Sequence, residues 1–102
     1  MSRNVRYNAF MIKSFKHKGL QLFFEKGNIA KINAAHQSKL KMRLVALDTA
    51  NGIEDMDLPG FHLHSLKGNR ARIWAVDVNK NWRITFEFKE GDAYIVDYED
   101  YH

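Results

Sequence analysis

The sequence predicts an α+β domain in which two helices cover one face of an antiparallel sheet formed mainly by the C-terminal half. Three observations carry that prediction. Apolar residues before residue 50 recur at helical spacing, and after Gly60 they alternate with polar ones. The one proline, Pro59, sits between these two regimes in the loop-rich stretch "NGIEDMDLPG". At 102 residues the chain has the length of one ordinary domain and can bury a core without covalent staples.

"MIKSFKH" reads as a short first strand anchored by Ile12 and Phe15. In "KGLQLFFEKG", Leu20, Phe23 and Phe24 stand at i, i+3 and i+4, one face of a short helix ending near Gly27. "NAAHQSKLKMRLVALDTA" (33–50) is the longest helix, with Asn33 suited to cap its start. Leu40, Leu44 and Leu47 form its apolar stripe, and Lys39, Lys41 and Arg43 are assigned to the face away from it. "FHLHSL" (61–66) reads as a strand with Phe61 and Leu63 on one side and His62 and His64 on the other. "RIWAVDV" (72–78) groups Trp74, Val76 and Val78. "WRITFEF" (82–88) alternates most cleanly: Trp82, Ile84, Phe86 and Phe88 face one way, Arg83, Thr85 and Glu87 the other. "AYIVDY" (93–98) is the last strand, and "VNKNW" and "KEGDA" are hairpin connections. The apolar sheet face takes the helices. Packing requires no arginine or histidine on the opposite face, so function is expected there.

The chain has no cysteine, which excludes disulfides, thiolate metal sites and thiol nucleophiles. No apolar run approaches the roughly 18–20 residues of a membrane span, and "MSRNVRYNAFMIKSF" lacks a signal-peptide core. The chain therefore reads as soluble and cytoplasmic, without a membrane partner. Lys and Arg outnumber Asp and Glu by 16 to 12, a balance that suits a polyanion and equally an acidic protein. Nucleotide-binding loops, serine-triad motifs, zinc motifs and heptads do not occur.

Four stretches can carry chemistry. His62 and His64, at i and i+2, can clamp a metal, but no third ligand is evident nearby, so no metal or other cofactor is expected. His17 and His36 read as solvated residues. In "HSLKGNRARIW", His64, Lys67, Arg70 and Arg72 flank a turn; they suit phosphate chemistry or are simply solvated cations at a hairpin. Arg83 lies mid-strand and needs a partner, either a phosphate or a carboxylate such as Glu87 or Asp97. The end, "DYEDYH", concentrates Tyr98, Asp100, Tyr101 and His102, either as a frayed terminus or as an imidazole poised near neutral pH beside rings able to stack on bases.

Taken together, "MIKSFKHKGLQLFFEKG", "LHSLKGNRARIWAVDVNKNWRITFEF" and "GDAYIVDYEDYH" resemble the HigB toxins of the RelE/ParE-like superfamily of toxin–antitoxin systems, also described as plasmid-maintenance killer proteins. The resemblance runs from Met11 to His102 and sets residues 1–10 apart as an N-terminal extension, with Met11 a candidate start. It implies a small RelE-like sandwich and a ribosome-dependent endoribonuclease that cuts messenger RNA at the A-site codon, without a metal, by attack of a ribose 2′-hydroxyl. It implies catalytic roles for His64, Lys67, Arg83, Tyr101 and His102, and a supporting RNA contact at Arg70. Some relatives carry a further arginine before "NWR"; here "VDVNKN" offers only Lys80, a departure that either lowers activity or moves that phosphate contact to Lys80. Lys39, Lys41 and Arg43 are assigned to ribosomal RNA. The implied partners are a HigA-like helix-turn-helix antitoxin, the 70S ribosome with its messenger RNA, and operator DNA through the antitoxin. Two other readings stay open: a ParE-like gyrase inhibitor of the same fold, and a non-catalytic RNA-binding module.

Overall fold

The computed structural model describes residues 11–100. Residues 1–10, expected to be an extension, and the pair Tyr101 and His102 lie outside the described residues. The order of elements is α1 (Lys18–Lys26), α2 (Gln37–Thr49), β1 (His64–Ser65), β2 (Ile73–Asp77), β3 (Trp82–Lys89) and β4 (Asp92–Asp100). The strands form one antiparallel sheet in sequence order, β1-β2-β3-β4, as expected of hairpin connections. The two helices lie on its apolar face, a RelE-like α+β arrangement.

Helix α1 begins where the His17 ring accepts a hydrogen bond from Leu20 N. It ends at Gly27, whose φ of 73° suits a residue without a Cβ and lets its N–H close on the carbonyls of Leu22 and Phe23. Asn33 does cap the second helical segment: its side chain accepts from Ala35 N, and a 3-10 turn, Ala34–His36, leads into α2. The core joins Leu20 and Phe23 of α1 and Leu40, Leu44 and Leu47 of α2 to Val76, Ile84, Phe86, Val96 and Tyr98 of the sheet.

The expected first strand is not a regular one. Ile12 and Phe15 make isolated parallel bridges to Ala93 and Val96, so residues 11–16 run as an irregular edge alongside β4. Asp48 of α2 accepts from the backbone N–H groups of Met11 and Ile12 and pins that edge to the helical layer. "FHLHSL" is likewise shorter than expected. Only His64 and Ser65 are strand, because His62 adopts a left-handed φ of 52° that interrupts the ladder.

Strand β4 contains one extra residue. Thr85 pairs with Asp97 and Glu87 with Tyr94, so Ile95 and Val96 together oppose Phe86. Ile95 takes up the bulge with φ 50°, and Ser14 accepts its N–H through Oγ. The insertion resets the period-2 alternation. It turns Val96 and Tyr98 into the core and leaves Asp97 and Glu99 on the open face, beside Thr85 and Arg83.

Two residues expected at the surface are buried. Arg43, assigned to the solvated face of α2 and to ribosomal RNA, is 5% exposed. It stands three residues after Leu40 and four before Leu47, which places it on the apolar stripe by helical geometry. Its guanidinium donates to the carbonyls of Asp77 (2.6 Å), Lys39 (3.3 Å) and Gly60 (3.2 Å) and lies over the Phe61 ring. Burial pulls its pKa down, opposed by the charge of Asp77. His36 is buried too, within bonding distance of the Tyr98 hydroxyl and the Asn79 amide. Asn79 Oδ1 accepts from the N–H groups of Asn81 and Trp82, so its Nδ2 must be the group donating to His36 Nε2. Nδ1 then carries the proton toward Tyr98, and a neutral imidazole agrees with a pKa lowered by burial and then by Lys39. Arg43→Ala strands carbonyls that a charged donor now satisfies. It should cost about 2–3 kcal/mol in urea unfolding, while Lys41→Ala on the exposed face stays within about 0.5 kcal/mol of the parent.

Candidate active site

The sheet's open face is organised in rows set by strand register. One row runs His64, Ala75, Thr85, Asp97, and the next runs Asp77, Arg83, Glu99. After β1 the chain passes Lys67, makes a 3-10 turn at Gly68–Arg70 and returns as β2. Gly68 has φ 72°, a conformation glycine tolerates best, and the turn carries Arg70 to the opposite end of the second row.

There Arg70 and Arg83 converge on one carboxylate. Arg70 donates to Glu99 through NH2 (2.6 Å) and NH1 (3.5 Å). Arg83 donates through NH2 (3.2 Å) and Nε (3.4 Å), and the Thr85 hydroxyl adds a bond at 3.2 Å. Burial alone would raise the Glu99 pKa. Hydrogen bonds and charge from Arg70, then from Arg83, outweigh it and hold the carboxyl below its ordinary range. Among the described residues Arg83 pairs with Glu99 across the sheet. Glu87 is engaged by Arg72 and Lys89, and Asp97 by Lys16. Lys16, Arg70, Ile73, Thr85, Ile95, Asp97 and Glu99 line an open hollow of about 110 Å³. That is well below the ~300 Å³ of pockets that enclose small molecules. Such a face suits a group presented by a larger polymer lying across it.

Of the residues singled out in the sequence, His64, Arg70 and Arg83 share this face, and Lys67 is exposed at the entry to the turn. Lys80 is exposed in the β2–β3 hairpin, next to the second row. Lys39 and Lys41 are exposed on α2, in the layer on the other side of the sheet, and Arg43 is removed from the surface set by its burial. Tyr98 points into the core rather than toward a base: it is 5% exposed and its ring lies 4.6 Å from that of Trp82. The roles given to Tyr101 and His102 fall outside the described residues.

Three groups were missed. Glu99 was passed over inside "DYEDYH", although alternation outward from the core residue Tyr98 would have put it beside Arg83. Thr85 was read only as a polar strand residue. Asp77 completes a group with His62 and His64: one ligand atom from each lies within 4.8 Å of the others.

Because the folded-state pKa of Glu99 is depressed, its contribution to stability is complete above the unfolded value, near 4.5, and is lost as pH falls through the folded one. The melting temperature of the parent should exceed that of Glu99→Gln at pH 7, and the gap should shrink as pH drops below about 4.5. A gap that stays constant from pH 7 to pH 3 would show that the arginines do not hold Glu99 ionised.

The family model for the RelE-like toxin of the type II toxin–antitoxin system HigB matches residues 13–102. A curated Proteus vulgaris protein, Endoribonuclease HigB, is 52% identical over 92 residues, 90% of this chain and 100% of that protein. With nearly the whole domain matched on both counts, the chain belongs to the HigB-like family of RelE-like toxins of type II toxin–antitoxin systems, and an antitoxin partner comes with that family.

Proposed function

We propose that this toxin is an endoribonuclease that cuts messenger RNA at the codon in the ribosomal A site. The observation that carries the reading is the convergence of two arginines on the open sheet face, in the row beside His64. The 52% identity to a protein named Endoribonuclease HigB supports it.

In this reading the ribose 2′-hydroxyl attacks its own 3′-phosphate and the 5′ oxygen leaves. The products are a 2′,3′-cyclic phosphate and a 5′-hydroxyl. One base takes the 2′ proton, one acid supplies a proton to the 5′ oxygen, and cations stabilise the phosphorane between. His64 and His102 form the proton-transfer pair. Arg83 and Lys67 stabilise the phosphorane, and Tyr101 orients a base or the phosphate. Arg70 and Lys80 steady the RNA backbone. The side chain of Arg70 is 43% exposed against 15% for Arg83, so Arg70 meets the incoming phosphate first and Arg83 supplies charge from within the sheet. Glu99 keeps both guanidinium groups on that face before substrate arrives. His102 follows Asp100, which pairs with Trp82 beside Arg83, by two residues, at most about 7 Å of chain.

Lys39 and Lys41 serve ribosomal RNA through salt-sensitive contacts away from the reaction. The antitoxin is HigA-like with a helix-turn-helix domain, and operator DNA is bound through it. The setting is the cytoplasm; among the described residues no helix is long and apolar enough to cross a membrane.

Induced expression with primer-extension mapping tests the assignment. Wild-type protein should arrest growth and leave new cuts within codons. Arg83→Ala and His102→Ala should lower cleavage by about a hundredfold or more. His17→Asn, which keeps an acceptor at the α1 cap, should leave arrest intact. Equal toxicity of all three variants, or DNA damage without codon cuts, would contradict it.

A further inference from the structure

Beside the arginine cluster lies a second constellation whose chemistry is different. We propose that His62, His64 and Asp77 bind a divalent transition-metal ion of the zinc type, and that occupancy withdraws His64 from RNA cleavage. The second half rests on the function proposed above; the binding site does not.

The scaffold holds these residues together through the backbone. His64 pairs with Ala75, two positions before Asp77 on the same sheet face. Asp77 N donates to the Phe61 carbonyl at 2.8 Å, which fixes the chain just before His62. The left-handed turn at His62 brings its ring within 5.2 Å of the His64 ring.

The protons are arranged for ligation. His64 Nδ1 lies 2.8 Å from the His62 carbonyl, and a carbonyl only accepts, so Nδ1 carries the proton and Nε2 the lone pair. A backbone carbonyl behind one ring nitrogen is the usual orienting device for an imidazole ligand. His62 Nδ1 and Asp77 Oδ2 are 3.0 Å apart and share a proton. A metal ion takes that proton's place, and the proton goes to solvent. Tetrahedral bonds of ~2.0–2.2 Å put ligand atoms about 3.4 Å apart. The His62–Asp77 pair need open only slightly, and the His62 side chain, 75% exposed, can swing to close the rest. Two imidazoles and one carboxylate favour zinc, nickel or copper over magnesium or calcium, and leave a fourth position to water. Bound metal occupies Nε2 of His64, the nitrogen through which it would exchange a proton with RNA.

The test uses untagged full-length protein in a non-chelating buffer and zinc ion alone. Calorimetric titration should show wild-type protein binding zinc more than about tenfold tighter than His62→Asn or Asp77→Asn. Asparagine tolerates the left-handed backbone at residue 62, and melting curves verify that each variant is folded. Imidazole nitrogen resonances of His62 and His64 should shift while those of His17 and His36 hold. Zinc should inhibit codon cleavage by wild-type protein, and His62→Asn should cut equally well without metal and resist zinc. Equal zinc affinity in wild type and His62→Asn overturns the site, whatever the nuclease assay gives. Tight binding at these histidines with unchanged or accelerated cleavage overturns the inhibitory role and leaves the nuclease reading standing. Wild-type protein that cuts no codon, with or without added zinc, refutes the nuclease reading and with it the inhibitory role, while the titration still decides the site.

Discussion

Two arginines on one sheet face repel each other unless something holds them, and Glu99 is what holds them. Its carboxylate takes bonds from Arg70, Arg83 and Thr85, tying the turn after β1 to β3 and β4. The positive charge therefore stays on the open face, where it can meet a phosphate. Elsewhere on that face cations are paired off locally, as with Lys16 and Asp97 or Arg72 and Glu87. Glu87 likewise takes two cations, Arg72 and Lys89; what distinguishes the Glu99 cluster is that both of its cations are guanidinium groups, held together with the Thr85 hydroxyl on one carboxylate.

That arrangement depends on events on the far side of the sheet. Glu99 faces Arg83 because Ile95 adds a residue to β4 and shifts the alternation that follows it. The shifted register is locked by Tyr98, packed against Trp82 and bonded to His36 and the Asn33 backbone. Trp82 and Tyr98 are the chain neighbours of Arg83 and Glu99. Loosening this aromatic cluster would move the charged groups on the opposite face, since in a strand neither neighbour can turn without the other. Core packing and site geometry are thus two sides of the same pleat.

Much of the fold was legible because its signals are periodic. Trp82, Ile84, Phe86 and Phe88 alternate without interruption, and Leu40, Leu44 and Leu47 keep helical spacing. Arg43 and His36 share that helical stripe but were read as surface residues from their chemistry; spacing was the better guide, and carbonyls, a tyrosine and an asparagine satisfy them inside. The bulge was not legible. Left-handed backbone usually announces itself by glycine or asparagine, whereas here isoleucine and histidine adopt it at Ile95 and His62. Asp77's place beside His62 and His64 follows from strand register and the turn at His62, whereas alternation outward from Tyr98 already places Glu99 beside Arg83. The family resemblance points to His64, Lys67 and Arg83, while the convergence of Arg70 and Arg83 on Glu99 is seen only in three dimensions.

Under the proposed function, RNA phosphate binds at the Arg70–Glu99–Arg83 cluster. The most direct measurement is a structure of the protein on a ribosome whose A-site codon carries 2′-O-methyl ribose and so cannot be cut. A phosphate oxygen should lie within about 3 Å of Arg83 or Arg70, with the RNA lying across the open sheet face. RNA laid instead against α1 and α2, with the cluster untouched on the other side of the sheet, would contradict it.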